Sequence, residues 1–258
     1  WGIYRFYRNA EHYACNSAGL TLGEILADGG YGPSFRDDHL LPMASAIWSS
    51  TPSDMLSFPA LAFIRFHANH GLLRITGRPV WETVAGGSIE YVNRLAAPFK
   101  ERIRAGVGAV GVRRTAGGAE VMDARGHRDT FDHVVIATHA DQALAMLADP
   151  TPHERTLLGA FRYQRNRAVL HQDPRFMPRR RAAWASWNYI GGRGRGAGCF
   201  TYWMNRLQKI GDSTPLFVTL NPPESPASGL VVHQEEYDHP VFDAKALAAQ
   251  SQLWHLQG

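Results

Sequence analysis

The run Asp132-His133-Val134-Val135-Ile136-Ala137, polar at its start and apolar after it, constrains this chain more than any other stretch. A run of that kind predicts a strand over residues 131–137, covered on both faces as in a parallel sheet. It ends in the small residues Ala137 and Thr138, followed by His139, and small residues at the C-terminal end of such a strand let a ligand approach the backbone. Upstream, Gly86-Gly87-Ser88 turns the chain into an amphipathic helix with Tyr91, Val92 and Leu95, and Ser88 is placed to cap it. Between helix and strand, Thr115-Ala116-Gly117-Gly118 joins residues 110–114 to 119–122 as a hairpin. Residues 81–149 therefore form an α/β segment.

The flanks differ from this segment and from each other. Before it, residues 1–10 put Ile3, Phe6 and Tyr7 on one helical face, and Thr21 with Glu24 makes a capping box for a short helix stopped by Gly29-Gly30. Residues 35–69 read as helix again, with Ser53 as an N-cap, Gly71 as a stop and breaks near Pro42 and Pro59. After Pro150 and a short helix from Pro152, the period changes. RNRAVLHQD, AAWASWNYI, GCFTYWMNRLQ and PLFVTLNP each have strand length, separated by turn-rich segments, and predict an antiparallel meander. A last helix runs within residues 242–258 and stops at Gly258. The expected class is α+β with an α/β part, divided into a helical part (1–80), an α/β segment (81–149), a sheet part (150–230) and a return segment with a helix (231–258).

Composition narrows the function. The balance of 27 Lys+Arg against 23 Asp+Glu is mildly basic, and arginines gather at Arg179-Arg180-Arg181 and at Arg193 and Arg195. No recognition helix or aromatic-interleaved strand surrounds them, so they read as a solvated rim and not as a nucleic-acid surface. Cys15 and Cys199 lie far apart and form no CxxC pair, which predicts a reducing, cytoplasmic setting without disulfides. No run approaches the roughly 18 residues of a membrane span, which leaves only peripheral membrane contact open. His67 and His70 have helical spacing but no nearby third ligand, and no metal site is expected. His139 and Asp141 admit an acid–base pair, with a loop hydrogen bond as the favoured alternative. Trp184, Trp187, Tyr189, Tyr202 and Trp203 fall on the expected strands, where alternation makes them either sheet core or the wall of an apolar substrate cavity.

A Gly-Gly-Ser turn and helix, a hairpin and an apolar strand ending in a small pair, in this order, resemble the middle of the flavin-containing amine oxidoreductase family. The stretches LLPMASAIWSSTPSDMLSFPA, RPVWETVAGGSIEYV, VVIATHADQALAMLADP, AFRYQRNRAVLHQD and TYWMNRLQ are similar to a bacterial branch of predicted NAD/FAD-binding proteins. The resemblance implies a partial, Rossmann-like FAD-binding domain with a substrate domain of helices and antiparallel sheet. It implies FAD as cofactor, with Ala109 and Val110 facing the adenine through their backbone, where the family more often has Val at the position of Ala109. Ala137, Thr138 and His139 would then lie near the adenosine or pyrophosphate, and Gly86 and Gly87 would shape the turn beneath the flavin. The substrate would be a small apolar or amine molecule that loses a hydride, set against Trp187, Tyr189, Tyr202 and Trp203. The family's GxGxxG unit and its C-terminal flavin-contacting segment are not in the sequence and would fall beyond its two ends, so the chain is expected to be a central fragment, weak in FAD binding and marginally soluble when isolated. A non-catalytic module that binds an apolar ligand is the alternative.

Overall fold

The computed structural model describes residues 1–16, 19–191 and 198–257; Arg193, Arg195 and Gly258 lie outside them. In chain order the elements are helices α1 (Gly2–Asn16), α2 (Leu22–Asp28), α3 (Pro33–Phe35), a π turn (Arg36–Leu40), α4 (Leu41–Trp48), α5 (Pro52–Leu56), α6 (Ala60–Asn69) and α7 (Ile89–Ala96). Strands β1 (Ala109–Thr115), β2 (Gly118–Asp123) and β3 (Arg128–Phe131) follow, then α8 (Ala140–Met146), α9 (Pro152–Leu158) and β4 (Arg162–His171). The chain continues with β5 (Trp187–Ile190), β6 (Cys199–Trp203), α10 (Met204–Gln208), β7 (Phe217–Leu220), β8 (Val231–Val241) and α11 (Ala244–Gln250). The mixture of helices with antiparallel sheet is the α+β class that the sequence implies. Two compact units emerge, one of Trp1–Ser88 with Gln164–His239 and one of Ile89–Tyr163 with Pro240–Gly258.

In the first unit, α1 to α6 enclose an aromatic core. Phe6 and Phe63 are fully buried, and the Phe6 ring lies 5.5 Å from both Tyr31 and Phe35. Truncating either phenylalanine to alanine would cost about 3–5 kcal/mol. Local sequence sets the helix boundaries. The Thr21 hydroxyl accepts the Glu24 N–H while the Glu24 carboxylate accepts the Thr21 N–H at 2.7 Å, the capping box that the sequence announces, and Gly29 and Gly30 end α2. The cap of α5 is Thr51 and not Ser53: Thr51 and Asp54 make the box, and Pro52 takes the first helical position, where its missing N–H costs nothing. Pro59 separates α5 from α6, and Gly71, at φ 65°, follows the end of α6.

The sheet of the first unit has the order β5-β6-β7-β4-β8. Strands β5, β6 and β7 form the expected meander, but β4 pairs antiparallel with β7, opposite Phe217 to Leu220, and not with its sequence neighbour β5. Strand β8 is not foreseen by the sequence reading, because no residue of Val231–Val241 is buried, most are exposed, and no apolar alternation marks it. Its place beside β4 is held by backbone bonds such as Gln172 N–H to Leu230 O (2.9 Å), and by Arg165, which reaches Glu236 (3.4 Å) and Asp238 (3.5 Å).

In the second unit, β1, β2 and β3 form an antiparallel sheet whose first turn is Thr115 to Gly118, as the glycines predict. The strand expected over residues 131–137 is not formed: pairing stops at Phe131, and Val135 is 90% exposed. The reason is the length of the partner. Ala119 faces Phe131, and one residue earlier Gly118 turns the chain away, so no further ladder is offered. Gly118 has φ 145°, and a Cβ there would meet the Phe131 carbonyl oxygen at 2.2 Å. Helix α8 follows and joins β1, with Val112 and Leu147 bridged in parallel and Ala148 N–H donating to Val112 O (2.9 Å). Helix α11 is capped by Asp243, whose Oδ1 accepts the Ala246 N–H at 2.9 Å, and a 3-10 turn, Leu253–Leu256, follows it.

Candidate functional site

Gly86 and Gly87 sit in a tight turn closed by Gly87 N–H to Val84 O (3.0 Å). Both have left-handed φ, 83° and 87°, which only glycine adopts without strain, and α7 begins immediately after Ser88. Ala109 and Val110 open β1. Ala109 pairs with Asp123 and Gly111 with Met122, so a bulge leaves Val110 without a cross-strand partner. The bulged residue of such a pair keeps its backbone groups out of the ladder, free for another partner, and bulges concentrate beside binding sites. Ala137 and Thr138 are exposed at the end of the extended segment.

His139 is half-buried and its ring stacks on Tyr163, centroid to centroid 4.4 Å. Its N–H donates to Gln142 Oε1 (3.3 Å), and its Nδ1 is buried without a hydrogen-bond partner. The Tyr163 hydroxyl accepts the Ala140 N–H at 2.7 Å, so this tyrosine clamps the start of α8; nothing local in the sequence signals it. Asp141 accepts the Gln142 N–H (2.8 Å) and forms no pair with His139, so the loop hydrogen bond replaces the acid–base reading. Farther along, Arg114 binds Glu154 directly. Burial alone would raise the Glu154 carboxyl pKa, but Thr151 and Arg114 outweigh it and hold the pKa below the usual range.

The substrate candidates belong to the first unit. Directly opposed residues share a face of the sheet, so the register sorts them. Trp187 opposes Tyr202, which opposes Val218, which opposes Leu170. The next row on that face is Tyr189, Phe200, Leu220 and Ala168. Trp187 and Tyr202 meet edge to face at 5.4 Å, and Trp187 remains 51% exposed. The Tyr189 phenol lies over Gly191 and Gly198, where any Cβ would stand within 2.5 Å of its oxygen. Trp203 does not join them. It falls on the opposite face, edge to face with Trp184 (5.3 Å), and Arg181 lies over both indoles.

That opposite face is the core of the sheet. Phe217, Val169 and Cys199 are buried there around a polar chain that sequence reading missed, because an isolated Thr or His on a strand looks like an ordinary surface residue. Asp173 N–H donates to His171 Nδ1 (3.1 Å), which fixes the neutral tautomer with its proton on Nε2. His171 Nε2 then donates to Thr219 Oγ1 (2.7 Å), and Thr219 meets Thr201 at 2.8 Å. Burial lowers the His171 pKa, in keeping with that neutral form. The pair His67 and His70 is likewise structural: each Nδ1 donates to the carbonyl four residues back at 2.8 Å, and each ring stacks on a phenylalanine. No helix among the described residues is long and apolar enough to cross a membrane.

No protein-family model and no curated protein matches the chain. Solved structures do. Putrescine oxidase bound to putrescine superposes with a TM-score of 0.61 at 13% identity, over 96% of this chain and 53% of that one. A fatty acid isomerase from P. acnes that produces CLA gives 0.59 at 13% identity, over 93% and 59%. Reduced UDP-galactopyranose mutase gives 0.54 at 11% identity, over 90% and 59%. The chain thus spans between half and three fifths of the length of these proteins. The likeness is one of fold.

Proposed function

We propose that the protein is an FAD-dependent oxidoreductase that takes a hydride from a small apolar or amine substrate. The observation that carries this reading is the fold shared with three enzymes over at least nine tenths of the chain. FAD, when bound, supplies the two-electron acceptor, and the protein supplies binding, orientation and exclusion of water.

The residues at the proposed nucleotide site suit that cofactor. We place a purine edge against the bulged backbone of Val110, which has no cross-strand partner residue, and neither Ala109 nor Val110 has a side chain long enough to block the approach. Exposed Ala137 and Thr138 leave room for the rest of the nucleotide, and the buried, unpartnered Nδ1 of His139 is a polar atom in want of a partner. Gly86 and Gly87 give a backbone turn without side chains. In the sheet of the first unit, which also holds Gly86 and Gly87, Trp187, Tyr189 and Tyr202 form the substrate wall, whereas Trp203 has a packing role.

The backbone contact makes a sharp test. Proline is tolerated at bulges and removes the N–H. In the protein expressed from its complete reading frame, Val110→Pro weakens FAD binding at least tenfold, while Val110→Ala, which keeps the backbone, leaves it within twofold; titration followed by flavin fluorescence reads both. Equal affinities for the two variants would remove Val110 from the site.

A further inference from the structure

The wall that carries Trp187, Tyr189 and Tyr202 has a chemical character that selects among substrates. Strands β4 to β7 and helix α4 contain no Asp or Glu at all. Helix α4 is tied to this face of the sheet at two points, the Tyr202 hydroxyl to Ala46 O (3.5 Å) and Asn166 Nδ2 to Ser49 O (3.3 Å). Met43, Ala46 and Ile47 occupy one side of that helix at helical spacing, and all three are half-exposed. A partly exposed aromatic sheet face and a half-exposed apolar helix side thus lie within one unit, beside a shared hydrogen bond.

Two acids close to these elements in sequence are committed elsewhere. Asp173 follows β4 on the register of the opposite face and is held by Arg175 (2.6 Å), and Asp37, before α4, binds Arg36 at 2.6 Å. The two phenols are no source of negative charge either, since burial pushes both their pKa values up. An ammonium brought against such a wall would lose its water and gain only the attraction of ring faces, which is weaker than the desolvation penalty of an unpaired ion. A hydrocarbon placed there loses nothing, and each methylene it buries strengthens binding about fourfold.

We propose that the part of the substrate seated against this wall is uncharged and mostly hydrocarbon, a chain or a ring, and not an amine. This rests on the oxidoreductase reading for the identity of the site, and it decides between the two substrate classes left open there. The aromatic rows then act as specificity-determining positions: Trp187 and Tyr202 offer flat surface, and Ile47 and Met43 offer the facing apolar side.

The test compares two probes of one length, octan-1-ol and octylammonium, titrated calorimetrically at pH 7 into the full-length protein below their aggregation limits. Octanol is expected to bind at least tenfold more tightly, Trp187→Ala to weaken it severalfold, and Ile47→Glu to reverse the preference by planting a counter-ion. Octylammonium binding as tightly as octanol, or neither probe binding, overturns the proposal. The two readings fail separately. A protein without flavin that still prefers octanol sinks the redox reading and keeps the wall, while a flavoprotein that prefers octylammonium does the reverse.

Discussion

His67 and His171 are both fully buried, and burial lowers the pKa of each, in His67 from 6.5 to about 4. The Nδ1 bond to Phe63 O opposes that shift in His67 without cancelling it. For such a group the unfolded chain binds the proton more readily than the folded chain, so stability rises with pH between the folded and unfolded pKa values. Stability carried by these residues is whole above pH 6.5 and declines as the pH falls, for His67 toward about 4. The carboxylates of Asp173 and Glu154 act in a lower window. Arg175 chiefly depresses Asp173, and Glu154 is depressed against its burial, so their contributions are lost only as the pH falls below 3.8 and 4.5. Urea midpoints measured from pH 8 to pH 3 should therefore fall in two stages. His67→Phe, which keeps the stacked ring and removes the titration, should flatten the upper stage; a variant with an unchanged profile there would contradict the assignment.

At the scale of elements, helix caps decide where the helical half breaks. Thr51→Ala is expected to cost about 1 kcal/mol, and Ser53→Ala, which leaves the cap in place, a few tenths, both read from urea midpoints. Equal losses would mean that Ser53 carries the cap after all. The contrast shows what the sequence makes legible. The boxes at Thr21 and the hairpin at Thr115 to Gly118 depend on neighbours within a few residues, and they were readable. Pro52 pulled the expected cap of α5 two residues too late, because proline looks like a break when it is in fact the first residue of the helix. The expected strand at residues 131–137 and the unforeseen β8 fail for one physical reason. A strand exists only where another backbone takes up its N–H and C=O groups, and apolar composition says nothing about that. Apolar Val135 has no such partner, while the charged residues of β8 have β4.

The candidate site was legible in part. Small residues and glycines marked the positions around Ala109 and Ala137 by composition and resemblance, but the bulge that frees Val110 is a matter of register between two strands. Register also placed Trp203 on the face away from Trp187 and Tyr202, a sorting that alternation within one strand suggests and only pairing settles.

At the scale of the whole molecule, each unit makes its own contribution to the proposed chemistry. One holds the aromatic rows proposed to meet the substrate, and the other, taken by itself, holds the bulged strand and small residues proposed to meet a nucleotide. The fold is shared with putrescine oxidase, a fatty acid isomerase and a sugar-nucleotide mutase at 11% to 13% identity, a level at which architecture persists and specificity does not. The central claim is therefore that the protein binds flavin. The most direct measurement is to isolate the protein from its complete reading frame, denature it, and identify and quantify the released nucleotide by chromatography and absorbance. FAD released in near-equimolar amount to the chain is the predicted result. No flavin on isolation, and none retained after incubation with FAD and gel filtration, would contradict the account.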